Sequence, residues 1–337
     1  MIRIGTIGSG FIVKTILKNV ARTEGIECRA VYSRNQETGR ALADEFGAEK
    51  VYTDLDALCA DPELDFIYVA SPNSLHYDHV KKALAAGKNV LCEKPFVPTA
   101  KEARELIDLA KSKDLYLFEM ITTLYHPHAA WIREKLPKLG KLQMISATFC
   151  QYSSRYDLLK EGKQTNIFDP AFKTGTLMDI NVYNIYFVVS LLGRPEKVEY
   201  FAGLHENGID THGTVGLQYG DVGCQCTGAK DTLCESGLQI LGDEGDLKVG
   251  PAANNLRDAV LVLRSEQDNG PTGTNSLTRG QNREEVHLTE EQWFYEIQML
   301  TGHVEAGNRR LCYENLEIAY TVTETLERAR KSAGLGF

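Results

Sequence analysis

Residues 89–95, N-V-L-C-E-K-P, form a short apolar run that stops at a lysine held before a proline. A proline pushes the preceding residue out of helical geometry, so Lys94 leaves a strand end in a restricted direction, and Lys94–Pro95 is a candidate cis bond. Groups just past the carboxyl ends of strands in an open parallel sheet line the ligand crevice, so Lys94 brings an ammonium charge there, with Glu93 beside it. A second pair stands in the apolar helix expected over 176–192, where Asp179 and Tyr183 are four residues apart and share one face. An acid in such a helix needs a partner. Tyr183, taken alone, is a packed aromatic of the helix stripe.

A third group can hold an anion. A β-like run at 3–7 meets Gly8-Ser9-Gly10-Phe11-Ile12 and then a helical pattern through Ile16, Leu17 and Val20. The glycines let the turn close and the backbone approach a pyrophosphate seated on unpaired N–H groups of the helix start. After a second strand at 26–32 comes Ser33-Arg34, where an NAD site would carry Asp or Glu for the ribose hydroxyls. Arg34 offers instead a bidentate fork, and Ser33 a hydroxyl, for a 2′-phosphate. The alternative is a solvated loop arginine. Ser71-Pro72-Asn73 follow the strand at 66–70 and face the same crevice, and His76 either caps the cofactor side or opens the next helix.

Strand and helix alternate through 116–119, with Thr99 and Glu102 forming a capping box on the helix at 100–113. That pattern predicts an α/β, doubly wound parallel sheet over 1–120. Beyond it the alternation changes, and 121–337 reads as a second, α+β domain. Short alternating runs over 198–287, punctuated by Gly, Asn and Asp, predict a mostly antiparallel sheet, with a polar, glycine-containing loop at 271–282. Two terminal helices follow, the last stopping at Gly334.

A net charge of −9 without a run of Lys or Arg excludes an electrostatic footprint for nucleic acid or an anionic membrane, which leaves a small molecule as the partner. The most apolar run, 185–192, is shorter than the ~20 residues that span a bilayer. Met1 leads straight into a strand, so no targeting segment is expected. Eight scattered cysteines read as reduced thiols in a cytoplasm rather than a disulfide framework. His126-x-His128 lacks a third ligand at a telling spacing, and no metal is expected.

Taken together, G-S-G, A-S-P-N-S-L-H at 70–76, A-A-G-K-N-V-L-C-E-K-P at 85–95, L-M-D-I-N-V-Y at 177–183 and A-R-K-S-A-G at 329–334 resemble the glucose-fructose oxidoreductase, inositol dehydrogenase and MocA (Gfo/Idh/MocA) family. The resemblance implies a Rossmann domain for NAD(H) or NADP(H), followed by a domain whose large open sheet supplies the substrate face and the contact of a homodimer. It places the family's catalytic lysine on Lys94, its helix aspartate on Asp179 and its proton carrier on Tyr183, where many members have histidine. Tyrosine there is similar to the dimeric dihydrodiol dehydrogenase branch, which favours NADP(H) and agrees with Arg34. Thr174-Gly175-Thr176, Asn181 and Asn184 depart from the more usual residues. The implied reaction is hydride transfer between nicotinamide and a sugar, polyol or vicinal diol. The alternatives are a glycosidase that retains its dinucleotide and a dinucleotide sensor without turnover. An ammonium ~4 Å from the phenol, opposed by burial, leads to an expected Tyr183 pKa of roughly 8 to 9.

Overall fold

The computed structural model describes residues 1–163, 165–264 and 282–336; the loop expected over 271–282 lies, but for its last residue, outside them. The chain opens with β1 (Ile2–Ile7), α1 (Phe11–Val20), β2 (Ile26–Tyr32), α2 (Gln36–Phe46), β3 (Lys50–Tyr52) and α3 (Leu55–Ala60). It continues with β4 (Phe66–Val69), α4 (His76–Ala85), β5 (Asn89–Glu93), α5 (Ala100–Ser112) and β6 (Leu117–Met120). Among the described residues these strands form one sheet in the order β3-β2-β1-β4-β5-β6, with every pairing parallel. A parallel sheet with helices on both faces needs strands that are apolar on both faces. Accordingly, F-I-Y-V of β4 is buried at every position. Polar caps fix where the helices begin: Asn35 accepts from Thr38 N, Asp54 from Asp56 N, and Thr99 and Glu102 close the expected capping box. The strand order reverses between β1 and β4, which puts the ligand crevice outside their carboxyl ends.

Next come α6 (Thr122–Tyr125), α7 (Pro127–Lys135), β7 (Leu142–Cys150), α8 (Ser154–Lys160), a π-helical turn at Leu177–Asn181 and α9 (Val182–Leu192). The rest is β8 (Lys197–Leu204), β9 (Asp210–Tyr219), β10 (Val222–Ala229), β11 (Gly237–Gly242), β12 (Gly245–Ala252), β13 (Asn255–Leu263), β14 (Arg283–His287), α10 (Gln292–Glu305) and α11 (Arg309–Ser332). The second sheet runs β14-β13-β12-β11-β7-β10-β9-β8, antiparallel except where β7 and β10 pair in parallel. Residues 170–192 are long and apolar enough to cross a bilayer, beyond the short run expected from sequence. However, 72% of their most apolar window is buried inside the protein.

The last helix joins the two sheets. On α11, Cys312 Sγ donates to Leu117 O of β6 at 3.2 Å, and Glu317 receives both arms of Arg104 from α5 at 3.0 and 2.8 Å. The expectation that all the thiols are reduced is corrected at one pair. Cys150, the last residue of β7, is disulfide-bonded to Cys234, with Cα atoms 5.7 Å apart. Because β10 and β11 flank β7, the connection between them folds across the end of that strand, a closeness that the separation of 84 residues conceals. The remaining six cysteines are free.

Candidate active site

The crest of the first sheet offers an anion cradle. Gly8 has φ of +120°, and a Cβ there would lie 2.6 Å from Ala70 O, so only glycine lets the turn after β1 rest on the turn after β4. Gly10 is the N-cap of α1, which has neither a side-chain cap nor an acid in its first turn, and a Cβ on Gly10 would meet no atom within 4 Å. The N–H groups of that helix start therefore face open space with the positive end of the dipole behind them. Ser9 and Ile12 are half-buried, and Phe11 is exposed beside them. Past β2, Arg34 is exposed, and its guanidinium has no hydrogen-bond or ion-pair partner among the described residues. The Ser33 hydroxyl accepts from Asn35 N at 3.3 Å and so fixes the turn from which Arg34 projects. After β4, Ser71 Oγ lies 2.9 Å from His79 Nδ1, Pro72 opens a 3₁₀ turn, and Asn73 Nδ2 donates to Thr174 Oγ1 at 3.4 Å.

Two residues expected to line this crevice lie beneath it. His76 is fully buried, with Nδ1 at 3.0 Å from Pro95 O and 3.2 Å from Phe96 O, and Nε2 at 2.9 Å from Ser71 O. It ties the turn after β4 to the turn after β5, and burial lowers its pKa. Glu93 points inward because neighbouring strand residues face opposite sides of a sheet. It accepts from Tyr68 OH at 2.7 Å, and burial pushes its carboxyl pKa up. Glu119, paired with the Tyr186 hydroxyl, lies in the same interior and is pushed up to about 8 by burial. His126 and His128 are buried too, the first capping α7 and the second facing Leu256 O at 2.7 Å.

Lys94, Asp179 and Tyr183 converge. The Lys94–Pro95 bond is cis. Lys94 Nζ donates to the main-chain carbonyl of Asp179 at 2.8 Å and to Asp179 Oδ1 at 3.0 Å, and it stands 5.2 Å from the centroid of the Tyr183 ring. Phe149 of β7 packs edge-on against that ring at 6.1 Å. A residue that the sequence reading missed completes the group: Lys230 Nζ donates to Asp179 Oδ2. The Lys94, Asp179 and Lys230 side chains are 15%, 21% and 5% exposed, so the cluster is sheltered but open on one side.

Burial opposes charge on Asp179, but Lys94 and Lys230 outweigh it and hold the carboxyl well below its usual range. Burial likewise disfavours the Lys94 ammonium, and Asp179 and Tyr183 more than restore it, with a net shift upward. For Tyr183 the expected pKa of 8 to 9 is overturned. Burial raises the phenol far above its ordinary value, and Lys94 offsets only part of the rise. The ammonium lies over the ring instead of donating to the hydroxyl, and its charge is already engaged by Asp179.

The local sequence explains how the acid reaches its lysines. Thr176 Oγ1 donates to Thr211 O at 2.7 Å, and Leu177 N donates to the buried Asp210 Oδ2 at 2.6 Å, which anchors the start of the π-helical turn to β9. Its end is anchored to β10, where Asn181 Nδ2 donates to Cys226 O at 3.0 Å and Asn184 Nδ2 to Thr227 O at 2.9 Å. The two unusual asparagines thus join helix to strand. Gly228 permits the approach, since a Cβ there would fall 2.8 Å from Asn181 Cβ. Lys230 follows directly on β10, and its only advance signal was a lysine closing the otherwise uncharged run C-Q-C-T-G-A-K.

Known proteins resemble this chain over both of its sheets. Residues 2–120 match the oxidoreductase family with an NAD-binding Rossmann fold, and residues 132–248 match the GFO/IDH/MocA C-terminal domain. The chain is 36% identical to an uncharacterized oxidoreductase of Escherichia coli (strain K12) over 74% of its length and 76% of the relative's. It is 35% identical to an NADP(+) scyllo-inositol 2-dehydrogenase of Bacillus subtilis (strain 168), with the same coverage. Among solved structures, a 3-ketoreductase from Actinomadura kijaniata, in complex with NADP and TDP-benzene, superposes with a TM-score of 0.80 at 21% identity, covering 98% of this chain and 97% of the other. The parallel sheet with its glycine turn, the open second sheet and these matches over both show that the chain belongs to the Gfo/Idh/MocA oxidoreductase family.

Proposed function

We infer that the chain is an NADP(H)-dependent oxidoreductase that moves a hydride between nicotinamide and a carbon of a sugar, polyol or vicinal diol. The observation that carries this reading is the convergence of Lys94, Asp179 and Tyr183 at the carboxyl end of β5, on the same edge of the parallel sheet as the glycine turn after β1. The residues present fit the cofactor. The open face at Gly10 and the uncapped start of α1 suit a pyrophosphate, and the unpartnered Arg34 suits a 2′-phosphate. When bound, NADP(H) supplies or takes up the hydride. The chain's own groups handle the oxygen. Lys94 turns its charge toward the substrate oxygen, Tyr183 Oη gives that oxygen a proton in carbonyl reduction and takes it back in alcohol oxidation, and Asp179 holds Lys94 in place. Its relatives, acting on scyllo-inositol and D-xylose, support the substrate class.

A panel of scyllo-inositol, D-xylose and benzene dihydrodiol, read by nicotinamide absorbance, tests this conclusion. Turnover with NADP⁺ exceeding that with NAD⁺ is expected on at least one of them. In Arg34→Ala, NADPH affinity should fall about 10- to 100-fold while NADH affinity is unchanged, since charge-assisted hydrogen bonds worth about 1.5–3 kcal/mol are lost. Equal affinity for both cofactors in the unmodified chain would refute the preference. We also propose a homodimer formed through the second sheet, on whose strands Met144 and Phe201 are 49% and 67% exposed. Light scattering should give the mass of two chains, and the mass of one would count against it.

A further inference from the structure

Lys230 stands out because charge balance does not require it. Asp179 already has an ammonium partner in Lys94, which spends two donors on the Asp179 carbonyl and Oδ1. A second sheltered ammonium on Oδ2 gives each oxygen of the Asp179 carboxylate an ammonium of its own, one more than the single charge of that carboxylate calls for. The surroundings hold Lys230 firmly. Its N–H donates to Thr211 O at 2.9 Å, and its carbonyl accepts from Ser153 N at 2.9 Å. The disulfide at Cys234 anchors the segment that follows to the end of β7.

We propose that Lys230 is a positioning residue of the reaction centre. By holding Asp179 Oδ2, it stops the carboxylate from closing on Lys94 with both oxygens, so that Lys94 keeps one ammonium hydrogen and an uncancelled charge for the substrate oxygen. This inference rests on the assignment of Lys94, Asp179 and Tyr183 to catalysis. Lys230 acts through Asp179 and Lys94, so its removal should slow the chemical step while leaving substrate and cofactor binding alone. The Tyr183 phenol would then face Asp179, Glu93 and Glu296 with Lys94 more fully neutralised, so oxidation should run slower at every accessible pH while its slope with pH stays the same.

The experiment uses the full chain with NADP⁺ and whichever panel substrate it oxidises fastest. Lys230→Met should lower kcat about 10²-fold, the scale of a small misplacement of a catalytic group, with KM and NADPH affinity unchanged. Lys230→Arg, which keeps the charge and a donor, should recover most of the rate. If Lys230→Met does not fold, Lys230→Gln and Lys230→Arg carry the same comparison. An unchanged kcat in Lys230→Met or Lys230→Gln, a loss that appears in KM or NADPH affinity instead, or an arginine variant no better than methionine or glutamine, overturns the proposal. If Lys94→Met and Tyr183→Phe are themselves fully active, or the unmodified chain turns over no substrate of the panel, the catalytic assignment fails and takes this proposal with it. If both variants lose activity while Lys230→Met does not, only the proposal fails.

Discussion

Lys94→Met should fold, bind NADPH as tightly as the unmodified chain, and lose about 10²- to 10³-fold in kcat. That is the range seen when a single fixed donor to a developing oxyanion is removed. Breaking a buried ion pair by deleting one partner ordinarily destabilises a protein strongly, because the other charge is left stranded. Here Asp179 would retain Lys230, and the substituted side chain takes no part in the hydrogen bonds of the sheet, so the fold should survive. Cofactor titration and thermal unfolding, run beside the turnover assay, separate these effects. A variant with the original kcat removes Lys94 from the chemistry, and one that does not fold shows that its contribution is structural.

The second large effect concerns Tyr183. Its hydroxyl has no hydrogen-bond partner among the described residues, so Tyr183→Phe strands nothing and should leave stability nearly unchanged. The rate should fall about 10²- to 10⁴-fold, the usual contribution of a positioned acid or base. The sign of the pH dependence follows from the direction of the pKa shift. A phenol raised by burial is protonated throughout the neutral range, which is the form a proton donor needs, so kcat/KM for carbonyl reduction should be flat there. Oxidation needs the phenolate, whose fraction grows about tenfold per pH unit below the pKa, so its kcat/KM should climb with no plateau before pH ~10. Tyr183→Phe should abolish that slope. If the slope persists in the variant while a deuterium isotope effect shows the chemical step to be rate-limiting, another group carries the proton.

Most of the fold was legible because its signals are local. The glycine turn, the capping box at Thr99 and Glu102, and the alternation of apolar runs with helical patterns each lie within a few residues, and the first sheet follows from them. Lys94, Asp179 and Tyr183 could be singled out because a strand-end lysine and an acid within an apolar helix are anomalous wherever they occur. Lys230 could not, since its importance depends on the pairing of β10 with β7 and on the approach that Gly228 allows Asn181, both set by distant parts of the chain. The same blindness explains the Tyr183 pKa. The sequence showed the lysine that would lower it but neither the burial nor the prior commitment of that lysine to Asp179. His76 does open α4, one of its two expected roles, but three carbonyls of the turns after β4 and β5 make it an internal tie rather than a cap on the cofactor side.

The π-helical turn at Leu177–Asn181 gives this site an uneven tolerance to mutation. Such a turn holds one residue more than the α-helical turn it replaces, and successive helical residues are about 100° apart around the axis. Both of its ends are fixed, one to β9 through Thr176 and Leu177 and the other to β10 through Asn181 and Asn184. A deleted residue therefore cannot be absorbed by sliding the chain. It would swing Asp179 away from both lysines while α9 kept Tyr183 in place. Alignment of the acid with the phenol is thus set by a count of residues: apolar substitutions at Met178 or Ile180 are repacking problems, whereas the loss or gain of a single codon here dismantles the centre.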